Sequence, residues 1–516
     1  MSIFNNTYWY AGIIFFILAI GVKLYNKNVA AVWLLFFAAL FIRLFMIQLD
    51  PFLHDWDEKF HALVARNMMV HPFKPMLKTE ILVPYDYRPW CCNHIWLHKQ
   101  PLFMWQMALS MKIFGVSEVA MRLPSALMGA LMVPMLYRVA VLYTRNSFIA
   151  FGAAVLMCCS NFQLEQVSGY TGMDHNDVAF GFYVLASIWA YLEYLRKKNM
   201  KWVVLIGLFA GCAILNKWLT GLLVFSGWGI NILLNIRDKE SRGEILHLLL
   251  ALLVCIIVFL PWQIYIFNAF PEEALYEYNF NTKHIFEVVE GHGGHNEFYF
   301  HLFPQYFGKI IWMLVLTGMA ISLFVKSFVR KNNIAILAYT AVVYIFFSLI
   351  VQSKMGSYFF VVGPLCYIYM AVALGQLLRI PYVSKYLYMA AVVVCAYISI
   401  APPKIQAAHD PESQYRQNKI HNTNVYKNLR SILPPDIDIV MNVEQMEDVE
   451  LMFYNKGINA FHYCYLEAEF DVLKKMNKKV GIFPIRPGYP VPEYITGYEG
   501  TFVIDAEIKP TVQYYR

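Results

Sequence analysis

Apolar residues fill the first four hundred positions in long runs, not in alternation. Stretches such as 11–24, 29–49, 248–267 and 386–400 approach or exceed, with their flanks, the length that crosses a bilayer. About twelve such spans fit. Short polar breaks separate them, and two breaks are long, 50–100 and 268–303. In the first, Phe60, Leu63, Val64 and Met68 recur at helical spacing. They predict an amphipathic helix over 57–69 that lies along a membrane surface. The return strand of that loop, VPYDYRPWCCNHIWLHKQPL, is rich in proline and aromatics. After APPKIQAAHDPESQ, where Pro402, Pro403 and Pro411 mark a linker, the pattern becomes that of a soluble domain. DIDIVMNV reads as a buried strand, 448–456 as a helix closed by Gly457, AFHYCY as a strand, 466–477 as a helix and KVGIFPI as a third strand. The expected architecture is an α-helical polytopic membrane domain over 1–403, with outward loops 50–100 and 268–303, followed by a small α/β domain over 404–516.

Composition agrees: of 516 residues 59% are hydrophobic and only 15% charged, against about 25% charged in soluble domains. The net charge of +7 is spread among short loops with no basic stripe interleaved with aromatics, which excludes nucleic acid as a partner. Its distribution sets orientation instead. Lys23 and Lys27, Arg138 and Arg145, 196–201, 237–242, 326–331, and Arg379 with Lys385 fall in alternate loops, which places those loops in the cytoplasm. The loops around 165–177, 216–217 and 352–358, the two long loops and the C-terminal domain then lie outside. The first apolar run lacks a basic n-region and a cleavage site, so it is expected to remain as a span. Nine cysteines show no metal-ligand spacing, and several sit inside apolar runs. Cys91 and Cys92 face outward, but adjacent cysteines rarely bridge each other, and a structural role is expected.

Charges near lipid cost about 2.5 to 3.5 kcal/mol each at mid-membrane. Four outward clusters therefore stand out. Asp55, Asp57, Glu58 and His61 follow the second span; the bland reading is a capped helix N-terminus, and the functional one is a carboxylate poised to take a proton from an acceptor hydroxyl. Asp174 and Asp177 open a long apolar helix, where capping is again the bland alternative. Lys99 in HKQPL either snorkels or meets an anion. Lys354 and Tyr358 in KMGSYFF stand at the outer mouth of a helix. Lysines and carboxylates on one rim suggest transfer of a group from a phosphate carrier to a hydroxyl.

These stretches, DWDEKFHALVARNM, LHKQPLFMWQMALSMKIFGVSEVAMRLPSALMGAL, NDVAFGFYVLASIWAYL, LNKWLTG and SKMGSYFF, resemble the polytopic C-type glycosyltransferases (GT-C) in order and spacing over roughly 40–380. The branch holding the bacterial lipid A aminoarabinose transferases and the protein O-mannosyltransferases is the most similar one. The resemblance implies a bacterial inner-membrane enzyme, with its active site on the periplasmic side, that takes a sugar from a polyprenyl-phosphate donor. It matches Asp57 to the first-loop catalytic Asp with Glu58 beside it, and Asp177 to the second acid with Asp174 as its rival. Lys99, Lys354 and Tyr358 match contacts to the donor phosphate. Where the family often reads Glu-Lys-Pro-Pro, this chain reads His98, Lys99, Gln100 and Pro101. Some members associate that Glu and a loop histidine with a divalent metal, and His98 with His284, or with His292 or His295, would be the ligands here for Zn, Mg or Mn. Glu287 and Glu290 stand where members tend to carry an Arg. The acceptor would be a lipid, glycan or protein hydroxyl, or a lipid A phosphate. Two other classes stay open: a transporter or flippase of lipid-linked sugars, for which internal repeats would speak, and an inactive binding subunit.

Overall fold

The structure, a computed structural model, describes residues 3–170, 175–324, 330–382, 384–484 and 489–511. It divides into two compact units, one formed by Gln48–Met121 with Ala407–Arg516, the other by Ser2–Ile47 with Arg122–Gln406. The division differs from a simple cut near residue 403. The first outward loop packs with the C-terminal segment, and the reason is chemical: buried charges on each are partners for the other, as described below.

The membrane unit is helical. Among the described residues eight helices are long and apolar enough to span a bilayer, nine if the bent pair Ser147–Cys158 and Asn161–Ser168 counts as one span. Three shorter apolar helices, Leu102–Phe114, Met313–Phe324 and Ile334–Ile350, accompany them in the chain. Asparagines punctuate the spans. Asn6 accepts from the Tyr8 amide at 2.8 Å, and Asn146 from those of Phe148 and Ile149 at 2.9 and 3.2 Å, supplying acceptors that helix N-termini lack. Burial then separates interior helices from peripheral ones. In their most apolar windows Gly356–Arg379 and His175–Lys197 are 89% and 78% buried, whereas Thr7–Leu24 and Lys239–Ala269 are only 17% buried. The latter pair turn apolar surface outward, as helices that face lipid do. Close helix crossings use small residues. A Cβ on Gly207 would stand 2.8 Å from Val254 Cβ, and one on Gly211 would stand 2.6 Å from Val258 Cβ. This Gly-x-x-x-Gly face lets the Met200–Lys217 and Lys239–Ala269 backbones meet.

The other unit is built on a four-stranded parallel sheet of order β2-β1-β3-β4, with β1 Ile437–Met441, β2 Asn459–Ala460, β3 Lys479–Ile482 and β4 Thr501–Val503. Helices Glu447–Tyr454 and Glu467–Lys475 alternate with the strands, as the sequence pattern predicts. Gly457 takes φ +79° just past the first of these, a conformation that costs glycine nothing. AFHYCY contributes only Ala460 to the sheet, as the second residue of β2, and the short β4 is an addition. The core joins Ile439, Met441, Phe470, Leu473, Val480 and Ile482 to Val83, which comes from the first outward loop.

Helix Asp57–Met68 appears almost where expected, but it does not present a polar face to solvent. It lies against Leu102–Phe114 and Glu447–Tyr454, and Glu58, Lys59, His61 and Asn67 are buried along with its apolar residues. His61 is packed edge-on to Trp96 and Phe103, with ring centres 5.5 and 4.8 Å away.

Candidate functional site

The helix bearing Asp57 starts without a capping side chain: Trp56 holds the cap position at φ +66°, ψ −126°. Such a backbone costs a non-glycine residue on the order of 1–3 kcal/mol and persists only when its neighbours are fixed. Here they are. Glu58 turns back to accept the His54 amide at 2.9 Å, which makes it a buried support of the loop. Asp57 instead remains 29% exposed, and Lys99, 22% exposed, brings its ammonium within 3.4 Å. The acid and the lysine singled out in the sequence are thus ion-pair partners.

Behind Asp57 lies a dry ionic cluster. The Asp55 carboxylate receives Lys59 at 2.9 Å, Lys419 at 3.2 Å and the Tyr415 hydroxyl at 2.8 Å. Lys59 and Lys419, both fully buried, reach Glu447 at 2.8 and 2.7 Å and Glu450 at 3.2 and 3.4 Å, and Thr423 donates to Glu450 at 2.7 Å. Burial alone would raise the acids and lower the lysines, but the opposite charges win. Lys419 and Lys59 hold Glu447 down at about 2, and Asp55 is held well below the usual carboxylate range. For both lysines the pull of burial is outweighed, chiefly by Glu447, and they stay protonated above the usual lysine range. Next to it Asp50 takes His409 at 2.8 Å, Arg416 at 3.0 Å and His54 at 3.5 Å.

In the membrane unit Asp177 lies buried in the first turn of His175–Lys197 and is ion-paired to Lys217. Lys217 also stands 3.4 Å from the Ser357 hydroxyl and 5.3 Å from the centre of the Tyr358 ring. Nothing in LNKWLTG marks Lys217 for this contact, because a lone lysine at a helix end has no distinguishing pattern. Asp174 lies outside the described residues. Lys354 departs from the expected phosphate contact. Its ammonium donates to the carbonyls of Phe347 and Ser348, both at 2.8 Å, and to that of Val351, which accounts for all three of its protons. It closes the C-terminal end of the preceding helical segment.

The second outward loop is joined to this segment by backbone bonds. Gln352 and Ser353 donate to Ile285 and His284 at 3.1 Å, Lys354 to His292 at 2.7 Å, and the Ser353 hydroxyl bridges Glu287 and Val289. His284 is buried edge-on to Phe280, whereas His292 and His295 are exposed. His98 stacks on Trp90 at 5.1 Å and 14°. Among the described residues no three His, Cys, Asp or Glu side chains gather as metal ligands. Cys91 and Cys92 are thiols with sulfurs 2.8 Å apart.

Three comparisons bear on this arrangement. Residues 98–265 match the family described as dolichyl-phosphate-mannose-protein mannosyltransferase. Undecaprenyl phosphate-alpha-4-amino-4-deoxy-L-arabinose arabinosyl transferase 2 of Proteus mirabilis is 25% identical over 349 residues, 66% of this chain and 59% of that protein. The match thus spans less than two thirds of that relative. The crystal structure of ArnT from Cupriavidus metallidurans bound to undecaprenyl phosphate superposes with a TM-score of 0.65 at 13% identity, over 89% of this chain and 90% of that one. The oligosaccharyltransferase AglB of Archaeoglobus fulgidus, solved with an inhibitory peptide and a dolichol-phosphate, gives 0.52 at 13% identity over 83% and 63%. The fold is the one that ArnT and AglB share, and in sequence the chain is similar to the aminoarabinose transferases.

Proposed function

We propose that this protein is a membrane glycosyltransferase that moves a sugar from a polyprenyl-phosphate carrier to an acceptor at the periplasmic face of the inner membrane. The carrying observation is the Asp57–Lys99 pair, two opposite charges on a strained loop that the rest of its unit holds in place. Support comes from relatives whose names specify undecaprenyl phosphate sugars and from neighbours solved with polyprenyl phosphates.

Chemistry follows from the two partners. An arriving donor phosphate competes with Asp57 for the Lys99 ammonium, and Lys99 then stabilises the charge that grows on the phosphate as the bond from the anomeric carbon to its oxygen breaks. Asp57, released from that pairing, accepts the proton of the acceptor hydroxyl as its oxygen attacks the same carbon from the opposite face, so that the anomeric configuration inverts. An acceptor that is already an anionic phosphate needs no base, and Asp57 then only orients it. In the membrane unit Lys217, with Tyr358 beside it, offers a second point charge to a phosphate that takes the place of Asp177 on its ammonium. Glu58 and Lys354 are supports of their own loops.

The test is steady-state sugar transfer by the purified full chain, using radiolabelled polyprenyl-phosphate sugars and extracted membrane acceptors. Asp57→Asn is expected to lose about 10²–10⁴-fold in rate while still binding donor. Transfer at the wild-type rate in Asp57→Asn would remove the assignment.

A further inference from the structure

Taking Asp57 as the reacting acid, as proposed above, we infer that Tyr415 and Lys419 of the C-terminal segment are positioning residues for it: they clamp Asp55, and through the strained Trp56 they fix where the Asp57 carboxylate stands. The clamp occupies both oxygens of Asp55, Oδ2 by the Tyr415 hydroxyl at 2.8 Å and Oδ1 by Lys419 at 3.2 Å and Lys59 at 2.9 Å. Further along the loop, the Leu53 amide donates to Glu450 at 3.4 Å, and Arg416 and His409 hold Asp50. The acidic loop is therefore gripped at 50, 53 and 55 by side chains that lie more than 350 positions away in the chain.

Trp56 is the link between grip and site. Its carbonyl accepts the Lys59 amide at 3.2 Å and so closes the first turn of the helix, while its φ of +66° is one that a tryptophan leaves as soon as one side is released. Rotation of the 56–57 peptide would carry the Asp57 carboxylate with it, away from Lys99. Stability alone does not call for this arrangement. Apolar packing of the same volume commonly serves as well as two buried ammonium groups and their acids, and what the ions add is a fixed geometry. The C-terminal segment thereby acts as the second half of the acidic loop, whatever acceptor it meets.

Tyr415→Phe tests this most cleanly, since it removes one hydrogen bond and strands no buried charge; Asp55→Asn is the second variant, and Asp57→Asn the control. In the purified full chain one measures transfer of a radiolabelled polyprenyl-phosphate sugar as kcat and donor KM, the thermal midpoint, and amide hydrogen exchange over 53–60. Tyr415→Phe is expected to lower kcat about tenfold with donor KM within about twofold, at an unchanged thermal midpoint. Exchange at 56–59 is expected to quicken about tenfold, independently of activity. Wild-type kcat and wild-type exchange in both clamp variants, with Asp57→Asn inactive, would overturn the clamp and leave the proposed function standing. A fall in kcat that follows a lowered thermal midpoint, with exchange at 53–60 unchanged, would overturn it as well. An active Asp57→Asn would refute the functional reading instead, and quickened exchange would still establish the clamp on Asp55.

Discussion

Lys99 and Lys354 look alike in the sequence, each a lysine in an outward loop with aromatic company, and the structure gives them different tasks. Lys99 faces a half-exposed carboxylate, and Lys354 faces three carbonyls. We expect Lys99→Ala to lower kcat/KM for the donor by about 10²–10³ with little change in thermal midpoint, because a phosphate loses its charge-assisted partner. Lys354→Ala should do the reverse: it leaves buried carbonyls without a donor, costs about 1–3 kcal/mol in thermal or chemical unfolding, and affects transfer only through that loss. Asp57 and Lys99 stand out in the sequence because charges beside a lipid phase are expensive, and the structure brings the two together as an ion pair. Direction was not legible. Nothing in KMGSYFF says that the ammonium turns back to its own helix, and nothing in LNKWLTG says that Lys217 meets an aspartate forty positions earlier.

Among the elements, apolar helices are readable whether they are buried or turned outward, and a helix whose buried face is polar is not. Helix Gln414–Lys427 is the clearest case. Lys419, Asn422, Thr423 and Tyr426 form its buried side, so a single aromatic is all that marks it as apolar, and the segment passes for linker. β4 is three residues long, too short to carry an alternating pattern. Helix Asp57–Met68 was placed correctly by its apolar residues, but its polar side misled, since Lys59 reads as a solvated residue and is fully buried on an acid cluster. Helix crossings give a further test. Gly211→Leu should destabilise the membrane unit by about 1–3 kcal/mol in detergent unfolding, because Val258 Cβ and the Cys255 carbonyl would stand 2.6 and 2.9 Å from the new Cβ. Gly229→Leu, where nothing lies within 4 Å, is the control and should be close to neutral.

For the molecule as a whole, the ionic cluster predicts how the unit that holds Asp57 responds to pH. Asp50, Asp55 and Glu447 have folded pKa values below their unfolded ones, so their contribution is complete above about pH 4 and is lost as pH falls toward about 2. Burial holds the His94 imidazole down at about 4, so a shallower loss begins as pH drops below about 6.5. Lys59 and Lys419 are raised, so their share is complete below about pH 10.4 and is lost only as pH rises further. Denaturant unfolding of the full chain, followed across pH, should therefore show a steep acid limb below about pH 4. As a whole, the proposed enzyme breaks a bond from a sugar to a phosphate. The most direct measurement is the product balance of the purified protein in vesicles given a radiolabelled polyprenyl-phosphate sugar and acceptor. One polyprenyl phosphate should appear for each sugar transferred, and both products should form about 10²–10⁴-fold more slowly with Asp57→Asn. Intact donor that merely crosses the bilayer, with no carrier phosphate released, would contradict the account and show a transporter.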